Sequence, residues 1–225
     1  MAIASWLNLS PTSGSAGTTQ LSVGGTVHTG RSSRTITPTA KTTAGSPEVT
    51  VELPVTQEAA GNILTIIAPS TVAKTGASLV INGTSNAPSL AFQLGLGSAG
   101  VSGFTLSTLQ ISTDGGSTWK AITNTGTISG DPGAAATYLW RATVVVAANT
   151  TVSARSCDFC VYNFASYPTP IPNPSPAPSP IFGSVLINQA AGDATLTLSA
   201  ASLSLTAAGT AKTVTVTSNT SFSIS

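Results

Sequence analysis

Short apolar runs, many alternating with Thr or Ser, recur along this chain between Gly, Pro and Asn. No stretch sustains the i, i+3, i+4, i+7 spacing of an amphipathic helix, so the period is that of strands. The alternation predicts strands at 19–23, 33–39, 48–55, 64–67, 78–82, 89–94, 105–112, 120–123, 138–146, 151–154, 160–164, 182–188, 195–198, 202–206, 213–217 and 222–225. Many short strands punctuated by turn residues read as β-sandwich, and an all-β fold of immunoglobulin-like sandwiches is expected.

One segment breaks the pattern. Residues 167–180, YPTPIPNPSPAPSP, place Pro at nearly every second position. Pro lacks the ladder donor, so this stretch is expected to run as a stiff polyproline-II strut, either a long loop within a domain or a linker arm.

Composition narrows the function. The 225 residues include eight Lys or Arg, seven Asp or Glu and one His, with a net charge of +1. Catalytic side chains are scarce, and the bases are scattered, so no patch neutralises a run of phosphates and no nucleic-acid partner is expected. A surface rich in hydroxyls and poor in charge repels its own copies weakly, which suits a protein that assembles. The N-terminus, MAIASWLNLSP, has no basic region before an apolar core, and no window reaches the length of a membrane span. Synthesis in a cytoplasm, with no membrane partner, is therefore expected. The sequons at Asn8, Asn82, Asn149 and Asn219 follow from a Ser/Thr-rich composition.

The two ends carry the most specific signal. Residues 6–57 open W-L-x-L-S-P-x-S-G, continue with G-R-x-x-R-T-I and close on V-T-Q. This resembles the later half of a BACON domain, an immunoglobulin-like module of gut Bacteroidota proteins and their phages. Residues 196–225, with V-T-V-x-S-N-T-S-aromatic, resemble the first half of the same module. The halves stand in inverted order, and Ser225 read into Ala4 restores the family's continuous sequence. The resemblance implies two immunoglobulin-like β-sandwich domains, one of them assembled from the N- and C-terminal segments. The expected units are 1–61 (later half), 62–190 (a central sandwich containing 167–180) and 191–225 (first half). SVLINQAAGD at 184–193 echoes PVTQEAAGN at 54–62, as if both close a sandwich and step into the next. Each half alone would expose an apolar face and open edges, so the halves are expected to meet, within one chain or between neighbours. The expected assembly residues are Trp6, Leu7, Leu9, Val214, Val216, Phe222 and Ile224, with Trp6 as the core tryptophan.

Other motifs have plain structural readings. Ser112 to Trp119, STDGGSTW, matches the Asp-box pattern S-x-D-x-G-x-T-W, similar to the repeated hairpin of sialidases; chemically it is a turn in which Asp114 accepts backbone N–H bonds. Sialidase chemistry needs an arginine cluster that this chain does not concentrate. Cys157 and Cys160 form C-x-x-C without two further zinc ligands in sequence, and an extended strand would hold them too far apart for a disulfide. Asp114, Asp131 and Asp158 lack the D-x-D-x-D spacing of a calcium loop. Asp131-Pro-Gly and Asn149-Thr-Thr read as turns, His28 as a solvated turn residue and Arg34 as a loop-fixing hydrogen-bond donor. No catalytic, cofactor-binding or metal residue is expected.

These readings converge on a non-enzymatic virion structural protein of a phage of gut Bacteroidota. A head fibre, a capsid decoration or a tail-associated protein would fit, made in the host cytoplasm and partnered by its own copies and other virion proteins. The alternatives are a carbohydrate-binding or adhesive module at a bacterial surface, meeting a surface glycan, and an Asp-box glycosidase.

Overall fold

The structure is a computed structural model that describes residues 3–69, 71–95, 101–164 and 181–225. The proline-rich segment at 167–180 lies outside the described residues. Among these, the N-terminal segment forms β1 (Leu7–Ser10), β2 (Ser22–Gly25), β3 (Arg34–Ile36), β4 (Thr39–Lys41), β5 (Thr50–Glu52) and β6 (Val55–Gln57). They pair as three separate antiparallel ribbons, β1 with β2, β3 with β6 and β4 with β5.

The middle of the chain forms β7 (Leu64–Ile67), β8 (Thr71–Val72), β9 (Ala77–Ser85), β10 (Ser89–Leu94), β11 (Phe104–Ser112), β12 (Lys120–Ala121), β13 (Thr125–Thr127), β14 (Tyr138–Val146), β15 (Arg155–Phe164) and β16 (Ile181–Gln189). The C-terminal segment adds one ribbon, β17 (Leu196–Leu198) with β18 (Val216–Ser218). The described residues are nearly all β, with one short 3-10 turn at Pro132–Ala134. No helix among them is long and apolar enough to cross a membrane.

The central strands make two five-stranded sheets, in the orders β7-β9-β14-β11-β12 and β8-β16-β15-β10-β13. Taking the long strands as A to G in chain order, the first sheet reads A-B-E-D and the second G-F-C. This is immunoglobulin topology. The parallel pairing of β8 with the end of β16 adds the short strand that switches sheets.

Alternation decides which residues enter the core. On β14 Tyr138, Trp140, Ala142, Val144 and Val146 are buried, while Arg141, Thr143 and Val145 face outward. Trp140 is fully enclosed, edge-on to Phe92 at 5.5 Å and stacked with Phe159 at 6.3 Å between ring centres. Its cross-strand partner is Gly83. A β-carbon at Gly83 would stand 2.3 Å from the Trp140 ring and 1.9 Å from the Thr65 carbonyl oxygen, so the indole fits only because its opposite residue has no side chain.

Three predicted strands are not strands. The stretch 151–154 is a turn tied by Asn149, whose Nδ2 donates to the carbonyls of Ser153 (2.8 Å) and Ala190 (3.0 Å) and whose Oδ1 accepts from the Thr151 amide (3.1 Å). The stretches 202–206 and 222–225 have no ladder partner among the described residues. Gly83→Ala is expected to cost about 1–3 kcal/mol through overpacking against Trp140, read as a lower urea midpoint with an unchanged slope.

Candidate functional site

The motifs that suggested chemistry are satisfied internally. In the turn between β11 and β12, Asp114 Oδ1 accepts from the Ser112 hydroxyl (2.7 Å) and the Thr118 amide (2.9 Å), and Oδ2 accepts from the Thr118 hydroxyl (2.5 Å). Trp119 Nε1 donates to the Gly116 carbonyl (3.1 Å), and the Arg141 guanidinium lies 4.0 Å above the Trp119 ring. The hydrogen bonds from the Thr118 hydroxyl, the Thr118 amide and the Ser112 hydroxyl hold the Asp114 carboxyl well below the usual carboxylate range. These three hydrogen bonds make it the anchor of the turn.

Cys157 and Cys160 both lie on β15, three residues apart and therefore on opposite faces. Cys157 faces the main core, while Cys160 packs with Ala91 and Tyr162 on the other side of the sheet. The two thiols cannot bridge or share an ion. Burial raises the pKa of both, that of Cys160 to about 11. Asp131 is engaged by Arg31 in a two-pronged ion pair and caps Gly133 at 2.9 Å. His28 is half-buried, with Nε2 2.7 Å from the Ser32 carbonyl oxygen. No group of three or more metal-ligating side chains gathers among the described residues.

What the structure leaves unsatisfied lies at the two ends. Exposed large hydrophobic residues concentrate in the terminal segments and recur at every second position: Leu21 and Val23; Val49, Val51 and Leu53; Leu196 and Leu198; Leu203 and Leu205; Phe222 and Ile224. Ile224 is 84% exposed and Val51 64%. No residue from 196 to 225 is buried. Such spacing puts the apolar residues of each stretch on one strand face. Of the residues expected to form the assembly surface, Leu7 is buried, Trp6, Leu9, Val214 and Val216 are half-buried, and Phe222 and Ile224 are exposed. Trp6 is not an enclosed core residue in this chain. It lies under the Arg34 guanidinium at 4.6 Å, and the enclosed tryptophan is Trp140.

Each terminal segment is fastened to the central sandwich by the same device. At one end Asn86 accepts from the Ile63 amide (2.9 Å) and donates to the carbonyls of Thr29 (3.1 Å) and Gly61 (2.9 Å). At the other end Asn219 accepts from the Thr195 amide (2.9 Å) and donates to the carbonyls of Thr150 (3.1 Å) and Asp193 (2.9 Å). Both asparagines close a Thr-Ser-Asn triplet.

A second device is also duplicated. Arg34 and Gln57 face each other across β3 and β6, as Arg155 and Gln189 do across β15 and β16. Each arginine Nε donates to its glutamine Oε1, at 2.9 and 2.7 Å. Each pair then converges on one carbonyl, that of Thr26 in the first case and Ala147 in the second. Motif reading missed this duplication, although the SVLINQAAGD echo is its trace in sequence.

No family model matches the chain, and no curated protein matches it. Among solved structures it is similar to the collagen-binding domain of the Erysipelothrix rhusiopathiae surface protein RspB, at 8% identity and a TM-score of 0.26. That likeness spans 76% of this chain and 63% of the other, so the chain covers less than two thirds of that neighbour. The class is defined by the chain's own topology, an all-β protein of immunoglobulin-like sandwich architecture.

Two outcomes follow from the satisfied motifs. In the native protein, iodoacetamide at pH 8 is expected to modify Cys160 at least about 100-fold more slowly than in guanidine, because a thiol near pKa 11 is almost wholly protonated there. Asp114→Asn is expected to lower stability at pH 7. Because the folded carboxyl titrates below the unfolded one, its contribution is complete above about pH 4 and fades as pH falls further, so the gap between variant and wild type in urea melts narrows in acid.

Proposed function

We propose that this chain is a non-catalytic structural component that is built into a larger assembly through its two ends. The observation that carries this reading is the pair of uncovered apolar strand faces, one in each terminal segment. Monomeric proteins seldom display contiguous apolar surface of this kind, which marks sites of association. Near-zero net charge on a hydroxyl-rich surface supports the same reading, since copies brought together repel weakly.

The assembly proposed is the virion of a phage infecting gut Bacteroidota, with the chain acting as a head fibre, capsid decoration or tail-associated protein. Support comes from the likeness of the terminal segments to the two halves of a BACON module and from the internally satisfied Asp-box and C-x-x-C motifs. Peptides of this chain are expected in gradient-purified, nuclease- and detergent-washed virions at a copy number comparable to the other minor structural proteins. Recovery from host cell fractions alone, with none in washed particles, would overturn the virion assignment.

A further inference from the structure

Resting on the assembly reading above, we infer that the partner of each end is a second copy of this chain. The segment 196–225 of one copy supplies the first strands, and the segment 4–57 of the next copy the last strands, of one immunoglobulin-like sandwich joined head to tail.

The central sandwich provides the template. In the N-terminal segment the Thr26 amide donates to the Trp6 carbonyl at 2.8 Å, as the Ala147 amide does to the Gly103 carbonyl at 2.9 Å. The pair Leu7 and Gly25 therefore corresponds to Phe104 and Val146, and β1, β2, β3 and β6 correspond to β11, β14, β15 and β16. In the C-terminal segment the shared asparagine device makes β17 and β18 the counterparts of β7 and β9. The stretch 222–225 then corresponds to β10. The N-terminal segment holds the last strands of a sandwich and lacks the first; the C-terminal segment holds the first and lacks the last.

The exposed residues agree position by position. Val23 corresponds to Val144 and Leu21 to Ala142, both fully buried in the central sandwich. Counted from the paired asparagines, Phe222 and Ile224 fall at the positions of Ser89 and Ala91, which are 2% and 0% exposed in the central sandwich. In the central sandwich β9 hydrogen-bonds to β14 and β10 to β15, both antiparallel. The same rule pairs β18 of one copy with β2 of the next, and 222–225 with β3.

Self-closure is opposed by placement. The N-terminal segment docks where β9 ends, at Asn86, and the C-terminal segment where β9 begins, beside Lys74. Nine residues of β9 separate the two, roughly 26 Å at the rise of an extended strand. No strand pairing joins the two segments among the described residues. The open C-terminal segment is also the right size, since a stable interface takes about 20–30 residues a side. Because the two surfaces differ, the contact is heterologous and repeats into a ring or filament.

The test uses full-length protein carrying one charge on one open face. Wild type is expected to sediment as oligomers that grow with concentration. Val23→Asp and Ile224→Asp each change a residue exposed in the single chain, so each is expected to remain a folded monomer. Mixed one to one, they retain one sound N-terminal and one sound C-terminal face, and are expected to form a dimer of twice the monomer mass that grows no further. Residues 196–225 added as a free peptide are expected to block wild-type growth.

A wild type that stays monomeric at high concentration overturns the inference, as does a mixture that stays monomeric. Either variant dimerising alone would show a symmetric contact instead and overturn it too. If the chain proves virion-associated yet none of these assemblies forms, this inference fails and the virion reading stands; if they form but virions lack the chain, the reverse holds.

Discussion

Everything distinctive about this chain depends on one constraint: a β-sheet is stable only where its apolar face and its edges are covered, and among the described residues no strand pairing joins the two terminal segments. The central sandwich is the cause. Its strands hold the two terminal segments at opposite ends, and the asparagine devices tie each segment to the loops it meets. Backbone contact is close at both junctions. A β-carbon on Gly30 would fall 2.5 Å from the Ala135 carbonyl carbon, and one on Gly192 would fall 2.3 Å from the Asn149 carbonyl oxygen.

The central fold was legible because each of its long strands carries its burial in its own alternation. β7, β10 and β14 begin and end where the sequence pattern places them, although only β14 has ladder neighbours along its whole length and β7 is an edge strand beside β9. The errors have separate physical origins. In 151–154 the Val and Thr suggest a strand, but Asn149 competes for the same backbone groups and folds them into a turn. Trp6 was read as the core tryptophan through the likeness to the BACON module, whereas in the single chain it is half-buried under the Arg34 guanidinium. Trp140 went unremarked because its site is made by Gly83, 57 positions away, and such pairing is not visible in local pattern. In 202–206 and 222–225 the alternation is strong and the ladder is missing. Strand-like sequence without an intrachain partner is what a segment evolved to pair elsewhere would show.

The candidate surface was legible in outline for the same reason. Alternating Leu, Val and Phe at both ends predicted apolar faces, but their placement relative to one another depended on the central sandwich. The duplicated Arg–Gln and Asn devices were hidden more deeply. Each is assembled from residues 20 or more positions apart, and only the carbonyls on which they converge reveal that Arg34 and Arg155 perform the same task.

The duplication also bears on the geometry of growth. The N-terminal segment meets the loops beside Asn86, and the C-terminal segment meets the loops beside Asn149 and Asn219 through the same set of hydrogen bonds. If a completed terminal sandwich adopts the fold of the central one, every junction along the assembly becomes the same junction, and each sandwich is offset from the last by one repeated rotation. The scarcity of charge then acquires a role. Edge strands are usually guarded by Lys, Pro or bulges against unwanted pairing, and the ribbon β17–β18 carries no charged residue at all. Under the head-to-tail contact inferred above, an unguarded edge is what lets a neighbour's strand add on, and the face uncovered in the single copy would be covered in the chain of copies.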